Sequence, residues 1–354
     1  MAKSHQESGP VYFHPRTKTL TQWIPEGAYA LLDHADIDEM AAMGLIEKKV
    51  KAVLNYQPSM TGEYASTGTL RLIEERIPVY DIDQPHLVKG RMQQGQRICL
   101  ADGFLWRLDD GGAVKLSPVT EYTLDTIMLK LNAARLNFNQ QFTWFVQNTV
   151  EHLHKELPKI LKPLEVPPLK INLENKPVVV VTRGSGYRED LHVLAPYIKQ
   201  LQPVLIGVDG GADAIVDSGF TPHVILGDLD SISSRALQCG AQIVVHAYPD
   251  GFAPGLQRIQ RHGLCASVFR CLGTSEDAAY LLAHHAGARL IISVGSHSTM
   301  QDFLEKGRKG MASTLLVRLL LGNKLIDVKG IHHLFAGRKD WAVYDRREHH
   351  HTRL

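Results

Sequence analysis

Apolar and polar positions change their rhythm along this chain, and each change predicts a different kind of element. Up to about Pro85, short apolar runs alternate with helical spacing. Strands are expected at Ala28 to Leu32 and Val50 to Asn55, with helices around Ile37 to Leu45 and at Thr69 to Glu75. The stretch Tyr56 to Tyr64, Tyr-Gln-Pro-Ser-Met-Thr-Gly-Glu-Tyr, reads as a polar loop, either a plain connection or a segment that binds an anion or partner. From Val88 to Leu116 the period shortens to two within Arg97 to Leu100 and Phe104 to Leu108. With the turn Asp109-Asp110-Gly111-Gly112, this predicts a small β-hairpin module.

Between Thr120 and Leu157 the period lengthens again. Leu124, Met128, Leu131, Phe138, Phe142, Phe145, Thr149 and Leu153 recur at three- and four-residue steps with no internal Gly or Pro. That is a long helix, of order 55 Å at about 1.5 Å per residue. Its stripe needs a partner, supplied by the chain's own domains or by a second copy in a homodimer seam. Pro158, Pro163, Pro167, Pro168 and Pro177 then stop the helix and mark an extended linker.

After Lys176 apolar runs alternate with helical segments: Val178 to Val181, Val204 to Val208, His223 to Leu226, Gln242 to Val245, Ser267 to Cys271 and Leu290 to Val294. A helix follows at Met311 to Leu321, then a short strand at Lys324 to Val328. The expected fold class is α/β. It has a mostly parallel sheet flanked by helices, preceded by a smaller α/β plus β-hairpin region and a long connecting helix. The expected divisions are 1–118, 119–175 for helix and linker, 176–335 for the sheet domain, and a charged tail at 336–354 with Trp341, Arg346 and Arg347.

Two acidic turns carry the candidate chemistry. Val-Asp-Gly-Gly-Ala (Val208 to Ala212) and Leu-Gly-Asp-Leu-Asp-Ser (Leu226 to Ser231) each end an apolar run, so Asp209, Asp228 and Asp230 should emerge together at strand C-termini. Either turn alone also fits an ordinary post-strand turn. Together they suit Mg²⁺, which takes oxygen ligands and bridges carboxylates to phosphates, while Gly210 and Gly211 would admit close backbone approach. Arg183-Gly-Ser-Gly-Tyr-Arg188 follows the first strand and opens a helix. It could aim N–H groups and both arginines at a phosphate, or simply place a surface salt bridge. Asp250 and the basic stretch Lys306, Arg308 and Lys309 are further candidates for the same crevice, the latter as positive charge for phosphoryl transfer. His297 reads more readily as a hydrogen-bonded loop histidine than as a base.

The pair Asp209-Gly-Gly-Ala-Asp and Gly227-Asp-Leu-Asp-Ser-Ile resembles the nucleotide and Mg²⁺ signature of thiamin pyrophosphokinases. The resemblance implies Asp209, Asp228 and Asp230 as Mg²⁺ and diphosphate residues, with Ser231 beside them. Asp277 in Gly-Thr-Ser-Glu-Asp would match the family's Thr-Asp pair, with Thr274 nearby. The implied reaction is transfer of diphosphate from ATP, or another nucleoside triphosphate, to a hydroxyl, Asp277 or a metal-bound carboxylate orienting the acceptor. Asp213 occupies the family's usual Asn and would add negative charge. The kinases continue into a β-rich domain that helps hold thiamin. Here the corresponding point reads Val294-Gly-Ser-His-Ser-Thr.

A closer resemblance is carried by Val181 to Asp190, Val245 to Gly255 and Gly307 to Thr314, which look like the bacterial SteA-like proteins. These are thiamin-pyrophosphokinase-like proteins with an extra N-terminal domain, associated with the cytokinetic ring. That resemblance implies a cell-division partner and, as the alternative to an enzyme, an inactive scaffold or nucleotide sensor.

Composition narrows the setting. The 354 residues suit two or three domains, and a net charge of +2 gives no electrostatic case for nucleic acid. Cys99, Cys239, Cys265 and Cys271 form no C-x-x-C pair or disulfide framework, which favours a reducing cytoplasm. A zinc site from Cys265, Cys271 and His284-His285 fits no common ligand spacing. No Walker A stretch occurs. The amino terminus lacks a signal-peptide core, and the apolar run Leu315 to Leu321 is broken by Arg318, so no membrane span is expected. SteA-like relatives often carry a hydrophobic C-terminal segment. The expected location is the cytoplasm, with membrane association at the division site if the native chain has that anchor.

Overall fold

The computed structural model describes residues 8–335; the tail beyond, with Trp341, Arg346 and Arg347, lies outside them. The chain divides into two compact units. Unit 1 runs to Lys155 and includes His297–Ala312; unit 2 comprises Glu156–Ser296 and the chain from Ser313.

Unit 1 corrects the expected fold class. Its strands are β1 (Gly9–Phe13), β2 (Tyr29–Leu32), β3 (Ala52–Asn55), β4 (Val79–Ile82), β5 (Gln96–Ala101), β6 (Phe104–Asp109) and β7 (Gly112–Glu121). They form one closed barrel in the order β1-β2-β3-β4-β7-β6-β5, not a small α/β region with a separate hairpin. β1 to β4 are parallel neighbours, while β4–β7, β7–β6, β6–β5 and β5–β1 are antiparallel.

The alternating apolar residues of the hairpin explain closure. Ile98, Leu100, Leu105 and Leu116 join Val11, Tyr29, Leu31, Ala52, Leu54 and Ile82 in one buried cluster, the barrel interior. An isolated hairpin could not bury that face, and pairing its edges with β1 and β4 removes both open edges. The outer face of the parallel strands lies under α1 (Thr17–Trp23), α2 (Glu39–Glu47) and α3 (Gly68–Glu74), where Ala30, Leu32 and Val53 meet Leu20, Leu45 and Leu72. Strands buried on both faces read as apolar runs, as β2 does and β3 does up to Asn55.

The polar loop after β3 is tied down from within. Buried Asn55 donates to Ser59 Oγ, which donates to Asp81 Oδ1 at 2.6 Å, and Tyr122 OH donates to the other oxygen of Asp81 at 2.9 Å. Thr61 donates from its N–H and hydroxyl to Asp36.

Helix α4 (Leu124–Ile160) starts and ends later than expected, and Pro158 lies inside its last turn instead of stopping it. Ile160 at its end is buried in the core of unit 2, which outweighs the one hydrogen bond Pro158 removes. On the unit 1 side Ile127, Ala134, Phe145 and Thr149 are buried. Phe145 meets Phe303 of α10 (Met300–Glu305) edge-on at 6.2 Å, and Thr149 Oγ1 accepts from Met311 N–H. Leu124, Met128, Phe138 and Phe142, expected in the packed stripe, are about half exposed.

Unit 2 contains β8 (Pro177–Val181), α5 (Tyr187–Leu201), β9 (Val204–Val208), α6 (Gly211–Asp217), β10 (Val224–Gly227), α7 (Ser234–Leu237) and β11 (Gln242–Ala247). Then come α8 (Leu256–Arg261), β12 (Ser267–Arg270), α9 (Ser275–His285), β13 (Leu290–Val294), α11 (Ala312–Leu321) and β14 (Leu325–Asp327). The sheet is wholly parallel, ordered β12-β11-β10-β9-β8-β13-β14.

Its two faces bury separate cores. On one, Val178, Val180, Ile206, Leu226 and Val244 pack on α9 and α11; on the other, Ile225, Ile243 and Val245 meet Ala212, Leu237 and Ile259. The Pro-rich segment before β8 lies on the first core through Leu164, Val166, Leu169 and Ile171. Because strand order reverses between β8 and β13, crevices open outside the carboxyl ends of the strands, the usual ligand position in such sheets. No helix among the described residues is long and apolar enough to cross a membrane.

Candidate functional site at the strand ends

Asp209 follows β9 in a left-handed conformation (φ 49°) and turns its side chain onto the next loop. There Oδ1 accepts from Leu229 N–H at 2.8 Å. Leu229 is left-handed too (φ 60°), so the turn after β10 is held in an unusual shape by this carboxylate. Gly227 makes the contact possible: a Cβ there would stand 2.0 Å from Asp209 Oδ1. Asp228 Oδ1 accepts from Asp230 N–H at 3.2 Å, closing the turn on itself.

Arg183, from the end of β8, lies over Gly210 and donates from Nη2 to Ser231 O at 3.2 Å. Arg183, Asp209, Asp228, Asp230 and Ser231 therefore belong to one connected ledge spanning the ends of β8, β9 and β10.

Residues without a local sequence signal complete the ledge. Arg258 on α8 donates to Leu229 O and Ile232 O, clamping the acidic turn from the far side. Gly255 lets α8 approach, since a Cβ there would lie 2.6 Å from Asp228 O. Arg258→Ala is expected to cost about 1–3 kcal/mol, because two carbonyls lose a charged donor. A melting curve superimposable on that of the parent would refute this role.

The other candidates make contacts within the fold of unit 2 or lie in unit 1. Asp213 accepts from Ser233 N–H and Oγ, bracing the start of α7. Gly211 sets α6 directly on β8, with Val181 O only 1.9 Å from where a Cβ would be. In the loop before α5, Gly184 N–H donates to Gly295 O at 2.8 Å, and Gly186 leaves room for the His332 ring. Arg188 Nε donates to its neighbour Tyr187 OH, and buried Asp190 accepts from Gly330 N–H, His332 N–H and His332 Nδ1. Asp250 Oδ1 accepts from Phe252 N–H. His297, Lys306, Arg308 and Lys309 fall in unit 1.

Thr274 and Asp277 form a capping box at the start of α9: Thr274 Oγ1 accepts from Asp277 N–H, and Asp277 Oδ2 accepts from Thr274 N–H. Ser313 and Thr314 hydroxyls from α11 donate to the same oxygen at 3.0 Å each. Asp277 is fully buried, and Oδ1 has no hydrogen-bond partner among the described residues. Burial, reinforced by the Glu276 charge against the opposing pull of its hydrogen bonds, pushes its carboxyl up to about 6.

Among the described residues no group of three or more His, Cys, Asp or Glu side chains is placed to hold a metal by itself. The donors on the ledge are all oxygens, which suits Mg²⁺ where phosphate and water complete the shell.

No family profile and no curated protein matches the chain. Among solved structures it is similar to thiamine pyrophosphokinase from Bacillus subtilis, at 19% identity and a TM-score of 0.27. That match spans 43% of this chain and 60% of the other, a distant and partial likeness. None of these comparisons points to the SteA-like proteins or to the cytokinetic ring.

Proposed function

We propose that unit 2 binds a nucleoside triphosphate or a related organic diphosphate across the carboxyl ends of β8, β9 and β10. The observation that carries this reading is the bond from Leu229 N–H to Asp209, which joins the two Asp-Gly turns into one ledge with Arg183 beside it. Asp228, Asp230 and Asp209 would hold Mg²⁺ brought in with the phosphates, and the ion would neutralise phosphate charge. Arg183 would contribute a planar cation to the same oxygens. The motif resemblance to thiamin pyrophosphokinases supports this ligand class and extends it to diphosphate transfer onto a hydroxyl. In that extension the ledge positions the chain of phosphates, and catalysis is chiefly orientation and charge neutralisation.

Binding without turnover is the second reading, favoured by Asp277. The acid that the resemblance would make catalytic is sealed from solvent and committed to the first turns of α9 and α11. Here the protein is a nucleotide sensor or scaffold, and the SteA-like resemblance supplies its setting: the cytoplasm at the division site.

Calorimetric titration of ATP, GTP and thiamin diphosphate, with and without Mg²⁺, tests the proposal on the whole chain and on Asp228→Asn/Asp230→Asn. Mg²⁺-dependent binding lost in the folded variant is the expected result. Absence of binding by the intact chain overturns it. If ligand binds, AMP release with hydroxyl acceptors separates transfer from sensing.

A further inference from the structure

The turn that follows β11 carries two aromatic rings that its own packing does not use. Tyr248 and Phe252 frame the residues Tyr-Pro-Asp-Gly-Phe and are 50% and 63% exposed. Their rings are nonetheless held in order, nearly parallel at 8° with centroids 6.3 Å apart. Backbone bonds close the turn: Tyr248 N–H donates to Phe252 O at 2.9 Å, and Gly251 N–H donates to Tyr248 O at 2.8 Å. Asp250 Oδ1 accepts from Phe252 N–H at 2.9 Å. Other side chains anchor the loop. Ala253, Leu256 and Ile259 pack into the core that Ile225, Ile243 and Val245 form, and neither ring belongs to it.

The place of the turn gives the rings a use. Gly227 of β10 pairs with Val245 of β11, and β11 runs on to Ala247. The turn therefore begins one strand spacing, about 4.8 Å, from the acidic turn of Asp228 and Asp230. The chain beyond Phe252 is locked to that acidic turn, since Gly255 abuts Asp228 O and Arg258 donates to Leu229 O and Ile232 O. We infer that Tyr248 and Phe252 form a stacking platform for the base of a nucleoside triphosphate whose phosphates lie on the ends of β8, β9 and β10; this rests on the polyphosphate reading of the ledge. A nucleotide carries its phosphates at one end and a planar ring at the other, and the ledge offers charged and polar groups alone. An ordered pair of exposed rings supplies the missing apolar face, and the order already present keeps the entropic cost of stacking low. Stacking is tolerant of base identity because every base has a π-face, so adenine and guanine are accepted alike.

The test is calorimetric titration of ATP, GTP and methyl triphosphate, all with Mg²⁺, into the full chain and into Tyr248→Ala/Phe252→Ala. Methyl triphosphate has the phosphates of ATP and no base. In the parent chain ATP and GTP should bind alike, and at least about tenfold tighter than methyl triphosphate. Both rings face solvent, so the double variant should keep its circular dichroism and its affinity for methyl triphosphate, while ATP falls to that same level. Tyr248→Phe/Phe252→Tyr keeps two rings and should bind ATP as the parent does. Equal binding of ATP and methyl triphosphate by the parent, or ATP affinity intact in the alanine variant, overturns the platform and leaves the ledge standing. Loss of methyl triphosphate together with ATP in that variant means that the turn props the ledge, and it too overturns the platform. If the parent binds none of the three, the ledge reading falls and the platform with it.

Discussion

Gly211→Ala is expected to unfold unit 2, with a loss of about 3 kcal/mol or more in a urea titration, while Gly210→Ala next to it leaves the fold nearly intact. The difference lies in what each new methyl group would strike. At Gly211 it would meet Val181 O at 1.9 Å. That carbonyl ends β8, which is paired on both sides with β9 and β13 and buried from Val178 to Val181, so it has nowhere to go. At Gly210 the methyl would meet the Arg183 guanidinium at 2.0 Å, the far end of a flexible side chain that can rotate away. The loss there is one charge-assisted bond to Ser231 O, no more than about 1–2 kcal/mol on a partly buried surface. Gly210→Ala therefore isolates the part Arg183 plays in binding, with polyphosphate affinity expected to fall about tenfold. Equal stability of the two variants would mean that α6 is not seated on β8.

The elements legible in the sequence are those whose residues answer to local surroundings. The runs Val178 to Val181 and Val204 to Val208 are buried on both faces by α9 on one side and by α6 and its neighbours on the other, so continuous apolarity marks them. Barrel closure is a different matter. It depends on β1 pairing with β5 and β4 with β7, contacts between distant segments, and Gly9-Pro10-Val11-Tyr12-Phe13 is too short and mixed to announce a strand. On α4 both faces carry large apolar residues, so periodicity shows a long amphipathic helix without selecting the face that unit 1 covers.

The same division runs through the site. Asp209, Asp228 and Asp230 were readable because acidic turns after apolar runs emerge at strand ends. The clamp from Arg258 comes from a helix beyond the next strand and leaves no pattern behind. In the sequence Asp277 stands as the acid that the resemblance implies, and its part as a reciprocal N-terminal cap with Thr274 came only with the structure. Its complete burial left no local signal either, because the hydroxyls that cover it arrive with α11.

That burial makes the folding stability of unit 2 depend on pH in an unusual direction. Asp277 has a carboxyl raised from 3.8 to about 6 when folded, first by burial and then by the neighbouring charge of Glu276. Well below pH 3.8 the group is protonated in both folded and unfolded chains and exerts no bias. As pH rises from 3.8 to 6 the unfolded chain ionises first, so stability falls across that window and then levels off. The shift of roughly two units corresponds to about 3 kcal/mol. Oδ2 remains well served by three donors, and the cost lies with charge on a carboxylate whose other oxygen has no partner among the described residues. Glu276 shares this environment, held by Tyr280 OH at 2.7 Å and by Arg318 at 3.7 Å, which also pairs with Asp327 at 2.8 Å. Asp277→Asn keeps the shape and an acceptor for Thr274, Ser313 and Thr314 while removing the titration. Urea unfolding between pH 4 and pH 7, approximate bounds set by the two ionisations, should show this fall in the parent and a visibly flatter profile in the variant. If the two profiles run parallel, the carboxyl of Asp277 titrates alike in folded and unfolded chains, and its burial carries no electrostatic cost.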